Sequence, residues 1–383
     1  MKRANVLLVV ASVALTILTA EIVLRIANIA YPEFNRLDSL LGWSPRPEVD
    51  GIYAVEGRTK ISINEEGFRD IDHRPEKPAN TLRVAVLGDS FAEGREVPLE
   101  KVFWKVMEDE LSSCLRKKGL EAEVLNFAVN GYGTAQQVLV LENRVAKYAP
   151  DIVLLSAFTG NDIANNSREI DGHPDRPYFN LVNGRLHLED DHLRTTEFRM
   201  KRLWSDIKHG LFNALRTVQV FRQAYTALKT RFKYRDLDVA EQLTAGLSGK
   251  LYRAPENEIW QNAWAVTEAL MKRAADSARA QGTRFVLTTL SNPIQVTPDL
   301  DARTTAAREL GVADLYYPDR RLADFGRRSG FPVIALAERL AAQAAGSGVR
   351  LHGRKSFAGG HWNETGHRAA GNILAREMCD LLD

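Results

Sequence analysis

The sequence predicts an α/β protein built on a parallel sheet with helices on both faces, and three observations carry that expectation. The first is a strand–turn–helix unit. The apolar run Leu82-Arg83-Val84-Ala85-Val86-Leu87 ends in Gly88 and leads into a helical stretch at 100–120. The second is its recurrence. Residues 123–127 precede a helix at 135–147, residues 151–158 precede a polar loop, and 284–289 and 332–336 continue the series. The third is composition: 45% hydrophobic and 26% charged residues with a formal charge of +2 describe a globular chain without the global positive field that nucleic acid would call for. Two cysteines, Cys114 and Cys379, supply neither a disulfide framework nor a Cys-rich zinc site.

The N-terminus reads differently. Met1-Lys2-Arg3 precedes an apolar or small run over 6–20 that resumes after Glu21 as Ile22-Val23-Leu24, the pattern of a membrane-targeting segment. The strictly uncharged stretch is shorter than the roughly 20 residues of a spanning helix, but Glu21 and Arg25, four apart, can pair at the interface. Leu18 before Thr19-Ala20 gives no small-x-small cleavage site, so an uncleaved transmembrane anchor is preferred over a removed signal peptide. Lys2 and Arg3 on the cytoplasmic side place everything after about residue 30 outside the membrane, on the periplasmic or cell-envelope side. Cleavage would make the protein secreted.

The chain then divides into a membrane segment over 1–30, a spacer with a small β element over 31–80, and a domain over 81–383. An insertion at about 163–257 interrupts that domain without a comparable buried strand. Within it, Leu203, Ile207, Leu211, Ala214, Val218, Phe221, Tyr225, Leu228 and Phe232 share one helical face, with Gly210 as the expected break. Residues 198–235 carry ten Lys/Arg against one Asp. That basic face is either the solvated side of a lid or a contact for anionic headgroups or an acidic glycan.

Chemistry concentrates at the strand ends. Gly88-Asp89-Ser90 lies where the first core strand gives way to a helix, a position that exposes a hydroxyl and lets the backbone N–H face an anion. Gly131, in the loop after the second strand, and Gly160-Asn161-Asp162, after the third, open on the same edge. A glycine N–H and an asparagine amide are both suited to holding an oxyanion. Taken singly, each motif also makes an ordinary turn. Gly360-His361-Trp362 precedes the final helix and supplies the imidazole a neutral serine needs to lose its proton. His361 and His367 lack the spacing of a metal helix, and no nucleotide-binding glycine motif is present. No metal or other cofactor is expected.

The ordered set of Gly-Asp-Ser, Gly, Gly-Asn-Asp and His361 with Gly366-His367 resembles the four blocks of the SGNH (GDSL) hydrolase family over about 81–383. Asn64-Glu65-Glu66-Gly67-Phe68-Arg69-Asp70 and the N-terminal segment resemble its membrane-anchored bacterial members. The resemblance implies a three-layer α/β/α sandwich with a flavodoxin-like sheet, Ser90 as nucleophile, His361 as base, and an oxyanion hole of the Ser90 and Gly131 N–H groups with the Asn161 side chain. It further implies a serine esterase acting on small acyl esters, O-acetylated glycans among them. An acyltransferase to a polysaccharide and a non-catalytic glycan-binding protein are the alternatives.

The sequence departs from the family at the triad acid. An Asp two or three residues before the histidine is usual, and here those positions are Gly359 and Ala358. Three readings stay open: a dyad oriented by a backbone carbonyl, a carboxylate from elsewhere, or a protein that acts mainly by binding. Glu364 is the nearest carboxylate after the histidine. Trp204, Trp260, Trp264 and Trp362 are candidates to stack on sugar rings or to pack in the core. In the flavodoxin-like order, the first and last helices lie side by side, so Cys114 and Cys379 either meet as a disulfide or stay as separate buried thiols.

Overall fold

The computed structural model describes residues 2–354 and 357–383. Five strands, β5 (Thr81–Leu87), β6 (Glu121–Asn126), β7 (Ile152–Phe158), β10 (Arg284–Leu290) and β11 (Val333–Ala335), form one sheet in the order β11-β10-β7-β5-β6. Every neighbouring pair is parallel. This is the flavodoxin-like order, with its topological switch between β5 and β7. Strands buried on both faces read as near-continuous apolar runs, and all seven residues of β7 are buried.

Helices Phe103–Leu115, Ala337–Ser347 and Glu364–Leu382 cover one face through Trp104, Met107, Leu111, Leu340 and Leu374. Helices Thr134–Val140, Glu258–Ala280 and Tyr317–Ser329 cover the other through Val138, Trp264, Leu270 and Leu322. The first and last of the sheet-flanking helices are neighbours, and a disulfide joins Cys114 to Cys379 with their Cα atoms 6.6 Å apart. Of the two readings of the cysteines, the structure takes the paired one.

Four small hairpins decorate this frame: β1 (Asn35–Asp38) with β2 (Gly42–Pro45), β3 (Asp50–Tyr53) with β4 (Thr59–Ser62), β8 (Tyr178–Val182) with β9 (Arg185–Glu189), and β12 (His352–Arg354) with β13 (Phe357–Trp362). Three of them depart from expectation. The β8–β9 hairpin, with Tyr178 and Phe179 buried, lies in the interval read as lacking a buried strand. The β1–β4 region does more than space two parts of the chain, because it reaches the candidate site.

The inserted helices are Thr196–Ala214 and Arg216–Lys233, so the break falls at Leu215 and Gly210 continues the first helix. Their apolar row faces outward: Phe221 is 77% and Trp204 68% exposed. The inward side is polar. Gln219 accepts from the Tyr31 N–H at 2.7 Å, Asn213 accepts from the Glu33 N–H at 2.8 Å, and Gln223 donates to the Ala54 carbonyl at 3.2 Å.

Among the described residues, one helix, Arg3–Ile26, is long and apolar enough to cross a membrane.

Candidate active site

Ser90 opens a one-turn helix, Ser90–Glu93, directly after β5. Asp89 caps it, its Oδ1 accepting from the Phe91 N–H at 2.9 Å. Gly88 is needed here because a Cβ would lie 2.7 Å from that of Ala92. The helix is held from below by Arg69. This buried guanidinium donates to the carbonyls of Glu93, at 2.7 Å, Gly94, and Val97, at 2.6 Å. Asp70 next to it accepts from the Asn126 N–H at 2.8 Å, which ties the same segment to the end of β6. The stretch 64–70 is therefore a brace under Ser90.

His361 comes from β13. Its Nε2 lies 2.7 Å from Ser90 Oγ, and its ring packs on Phe91 with centroids 4.7 Å apart. On the other side Nδ1 lies 2.8 Å from Glu56 Oε2, the oxygen that also accepts from the His361 backbone N–H at 3.0 Å. A carboxylate accepts, so Nδ1 carries the proton and Nε2 faces Ser90. Glu56 sits in the turn of the β3–β4 hairpin, 305 residues from the histidine it orients. Gly360, at φ +85°, makes room for it: a Cβ there would stand 2.7 Å from Glu56 Oε2. This corrects the dyad reading, since a side-chain carboxylate and not a backbone carbonyl faces Nδ1. Glu364 is turned away and pairs with Lys101 at 3.0 Å.

The strand bearing His361 is fixed from two directions. His352 Nδ1 lies 2.9 Å from the Gly360 carbonyl, and Ser291 Oγ accepts from Trp362 Nε1 at 2.9 Å. From the insertion, Gln242 Oε1 accepts from the Ala358 N–H at 2.8 Å. His367 is separate from this chain. Its Nδ1 accepts from the Phe103 N–H at 3.2 Å and its Nε2 lies 3.0 Å from Glu96. No group of three or more metal-ligating side chains occurs among the described residues.

Gly131 and Asn161 follow β6 and β7, the strands on either side of β5, so their loops flank Ser90 on the carboxyl edge of the sheet. Gly131 has φ +79°, and buried Glu93 joins its loop to the serine helix by accepting from the Asn130 N–H at 2.8 Å. Among the described residues, the N–H groups of Ser90 and Gly131 and the Asn161 side chain make no hydrogen bond to protein. They remain free to serve a ligand. Beside Gly131 opens a cavity of about 400 Å³ lined by Trp43, Asn35, Asn130, His173 and Arg176. Trp43 donates from Nε1 to the Asn130 carbonyl at 3.0 Å and lies under the Arg176 guanidinium at 5.0 Å. Of the tryptophans read as sugar platforms or core residues, Trp260, Trp264 and Trp362 are buried in the core and Trp204 lies on the outward row. Trp43, not singled out from the sequence, is the tryptophan that lines the cavity beside Gly131.

The electrostatics are those of a tight carboxylate–imidazole pair. Burial opposes the imidazolium, but the Glu96 and Glu56 carboxylates outweigh it and raise the His361 pKa to about 10. Burial likewise opposes ionised Glu56, and His361 overcomes it, lowering Glu56 to about 2. Burial pushes Asp89 up to about 6. Burial keeps His352 neutral, its pKa down at about 3.

No family model and no curated protein matches the chain. Among solved structures it is similar to the lipase Lip_vut3 from a goat rumen metagenome, at 12% identity over 77% of this chain and 96% of that one, with a TM-score of 0.39. It is also similar to the acetyl xylan esterase AlAXEase, at 12% identity over 79% and 100%, TM-score 0.36, and to a lipase/acylhydrolase from Enterococcus faecalis, at 13% over 78% and 96%, TM-score 0.36. What the site can do follows from its own side chains.

Proposed function

We propose that this protein is a serine esterase, held at the membrane by its N-terminal helix, that cleaves small acyl esters on the extracytoplasmic side. One observation carries the reading: the unbroken hydrogen-bonded chain from Ser90 Oγ through His361 to Glu56. A binding protein has no use for an imidazole held between a serine and a carboxylate. Neutral His361 takes the Ser90 proton on Nε2 as Oγ forms a bond to the ester carbonyl carbon. The resulting oxyanion is held by the N–H groups of Ser90 and Gly131 with the Asn161 amide. The imidazolium, stabilised by Glu56, then gives its proton to the departing alkoxide. Water repeats the cycle and frees the acid.

The cavity beside Gly131, with an aromatic ring and polar rim, supports an alcohol portion of sugar size, and hence an O-acylated glycan as substrate. Passing the acyl group to a second sugar hydroxyl uses the same acyl-enzyme, and added acceptor alcohol separates the two: it diverts product to a new ester in a transferase and leaves a hydrolase unchanged. The disulfide supports placement in an oxidising compartment. The test of the reading is to treat the detergent-solubilised protein with a fluorophosphonate and a short acyl ester, beside Ser90→Ala and His361→Ala. We expect the label on Ser90 by peptide mapping and turnover lost in both variants. An unlabelled, inactive but folded wild type would end the enzyme reading.

A further inference from the structure

We propose that the inserted helix pair Thr196–Ala214 and Arg216–Lys233 lies in the outer leaflet of the membrane, its apolar stripe against acyl chains and its basic rim at the phosphates of phospholipid headgroups. This rests on the membrane-spanning reading of the N-terminal helix, and adds to it a second, surface-lying contact.

The stripe runs unbroken along both helices, through Leu203, Ile207, Leu211, Val218, Phe221 and Phe232, all exposed. A patch of that extent on a water-soluble surface marks a contact. It is not a core face that failed to pack, because the opposite sides of both helices are committed to the body. Asp206 pairs with Arg46 at 3.0 Å, and Asn213, Gln219 and Gln223 bind the backbone of residues 31–54. The outward apolar side is thus the designed orientation of the pair.

The N-terminal helix fixes the level at which this stripe stands. Glu21 accepts from the N–H groups of Arg216 at 3.1 Å and Thr217 at 3.0 Å, and Arg25 donates to the Ala214 carbonyl at 2.5 Å. The junction of the two surface helices is therefore clamped to residues 21–25 of the spanning helix. From Arg3 to Glu21 an α-helix rises about 27 Å, close to the roughly 30 Å of a hydrocarbon core, so the clamp lies at the outer boundary. Around the stripe, the side chains of Arg199, Arg202, Lys208, Lys229 and Arg231 form no ion pair with a carboxylate among the described residues, which suits them to lipid phosphates. The second helix also lines, through Gln223, Thr226 and Thr230, a cavity of about 700 Å³ shared with Glu56 and Arg354. Docking of the pair would set the candidate active site at a fixed height above the lipid.

The test places a nitroxide at Leu211→Cys or Phe221→Cys, with exposed Ala345→Cys as the reference, in the full chain reconstituted into phosphatidylcholine/phosphatidylglycerol liposomes. The native cysteines are bonded to each other and leave no competing thiol. We expect oxygen to relax the labels at 211 and 221 and a water-soluble nickel chelate to miss them, with the reverse at 345. Equal access of nickel to all three would overturn the proposal. So would a dipolar distance between two copies labelled at 221, which would make the stripe a dimer interface. An alkaline carbonate wash keeps the two claims apart. A chain that resists the wash with both labels open to nickel retains the span and refutes the surface contact; a chain stripped by the wash but shielded before it does the opposite.

Discussion

At the scale of single residues, the charge around His361 decides how the site works. Its pKa of about 10 means that below that value the resting imidazole is protonated, while attack requires it neutral. kcat/KM for a neutral ester should therefore climb with pH, about tenfold per unit, to a limb well above the ordinary histidine range of about 6.5. A plateau already reached at pH 7 would contradict this electrostatic picture. The same pair acts on stability with a definite sign. His361, raised on folding, stabilises fully below its unfolded pKa and loses that contribution as pH rises toward 10; Glu56, lowered to about 2, stabilises fully above its ordinary 4.5 and loses it on acidification. The Glu56→Gln variant should thus lose most stability, relative to wild type, between about pH 4.5 and 6.5, as chemical denaturation across pH would show. Ser90, Gly131, Asn161 and His361 stood out in the sequence as candidates because each lies close to the boundary of a strand or helix that the apolar runs announce. Glu56 did not. The alternating patches on either side of it mark a hairpin, but no local pattern says where a hairpin tip docks 305 residues away.

At the scale of elements, the clearest lesson is the brace made by 64–70. Removing the Arg69 side chain strips donors from three buried carbonyls at the end of the serine helix. At about 1–3 kcal/mol for each group left unsatisfied, Arg69→Ala should destabilise by several kcal/mol in urea unfolding and lower turnover through Ser90. A change within about 0.5 kcal/mol, the usual range for surface substitutions, would show that the brace is dispensable. The helix pair illustrates what periodicity leaves open. Spacing told which residues of 203–232 share a face, since that follows from the helix repeat alone. Which side meets the protein depends on a partner, and here the partner is exposed backbone in 31–54, which selects Asn213, Gln219 and Gln223 over leucine and phenylalanine.

At the scale of the whole molecule, the doubly wound frame was readable because strands buried on both faces leave apolar runs that few other structures produce. The frame set the first and last helices side by side and left the disulfide and the separate thiols both open; the structure bonds Cys114 to Cys379. This bond closes a span of 265 residues, so reduction should lower stability by about 5–6 kcal/mol in the chain-entropy account, read as a fall in the urea midpoint. What the frame could not show is that residues 31–80 belong to the site. They supply Glu56, Arg69 and Trp43, so the proposed chemistry draws on a segment outside the sheet. The most direct test of that claim is the turnover of Glu56→Gln on a short acyl ester, measured with fluorophosphonate labelling of Ser90 across pH. Loss of the orienting carboxylate should cost on the order of 10⁴ in kcat. The limb assigned to His361 should also move to lower pH, because a charge that raised its pKa is gone. Activity within a few-fold of wild type, with the limb unmoved, would contradict the account.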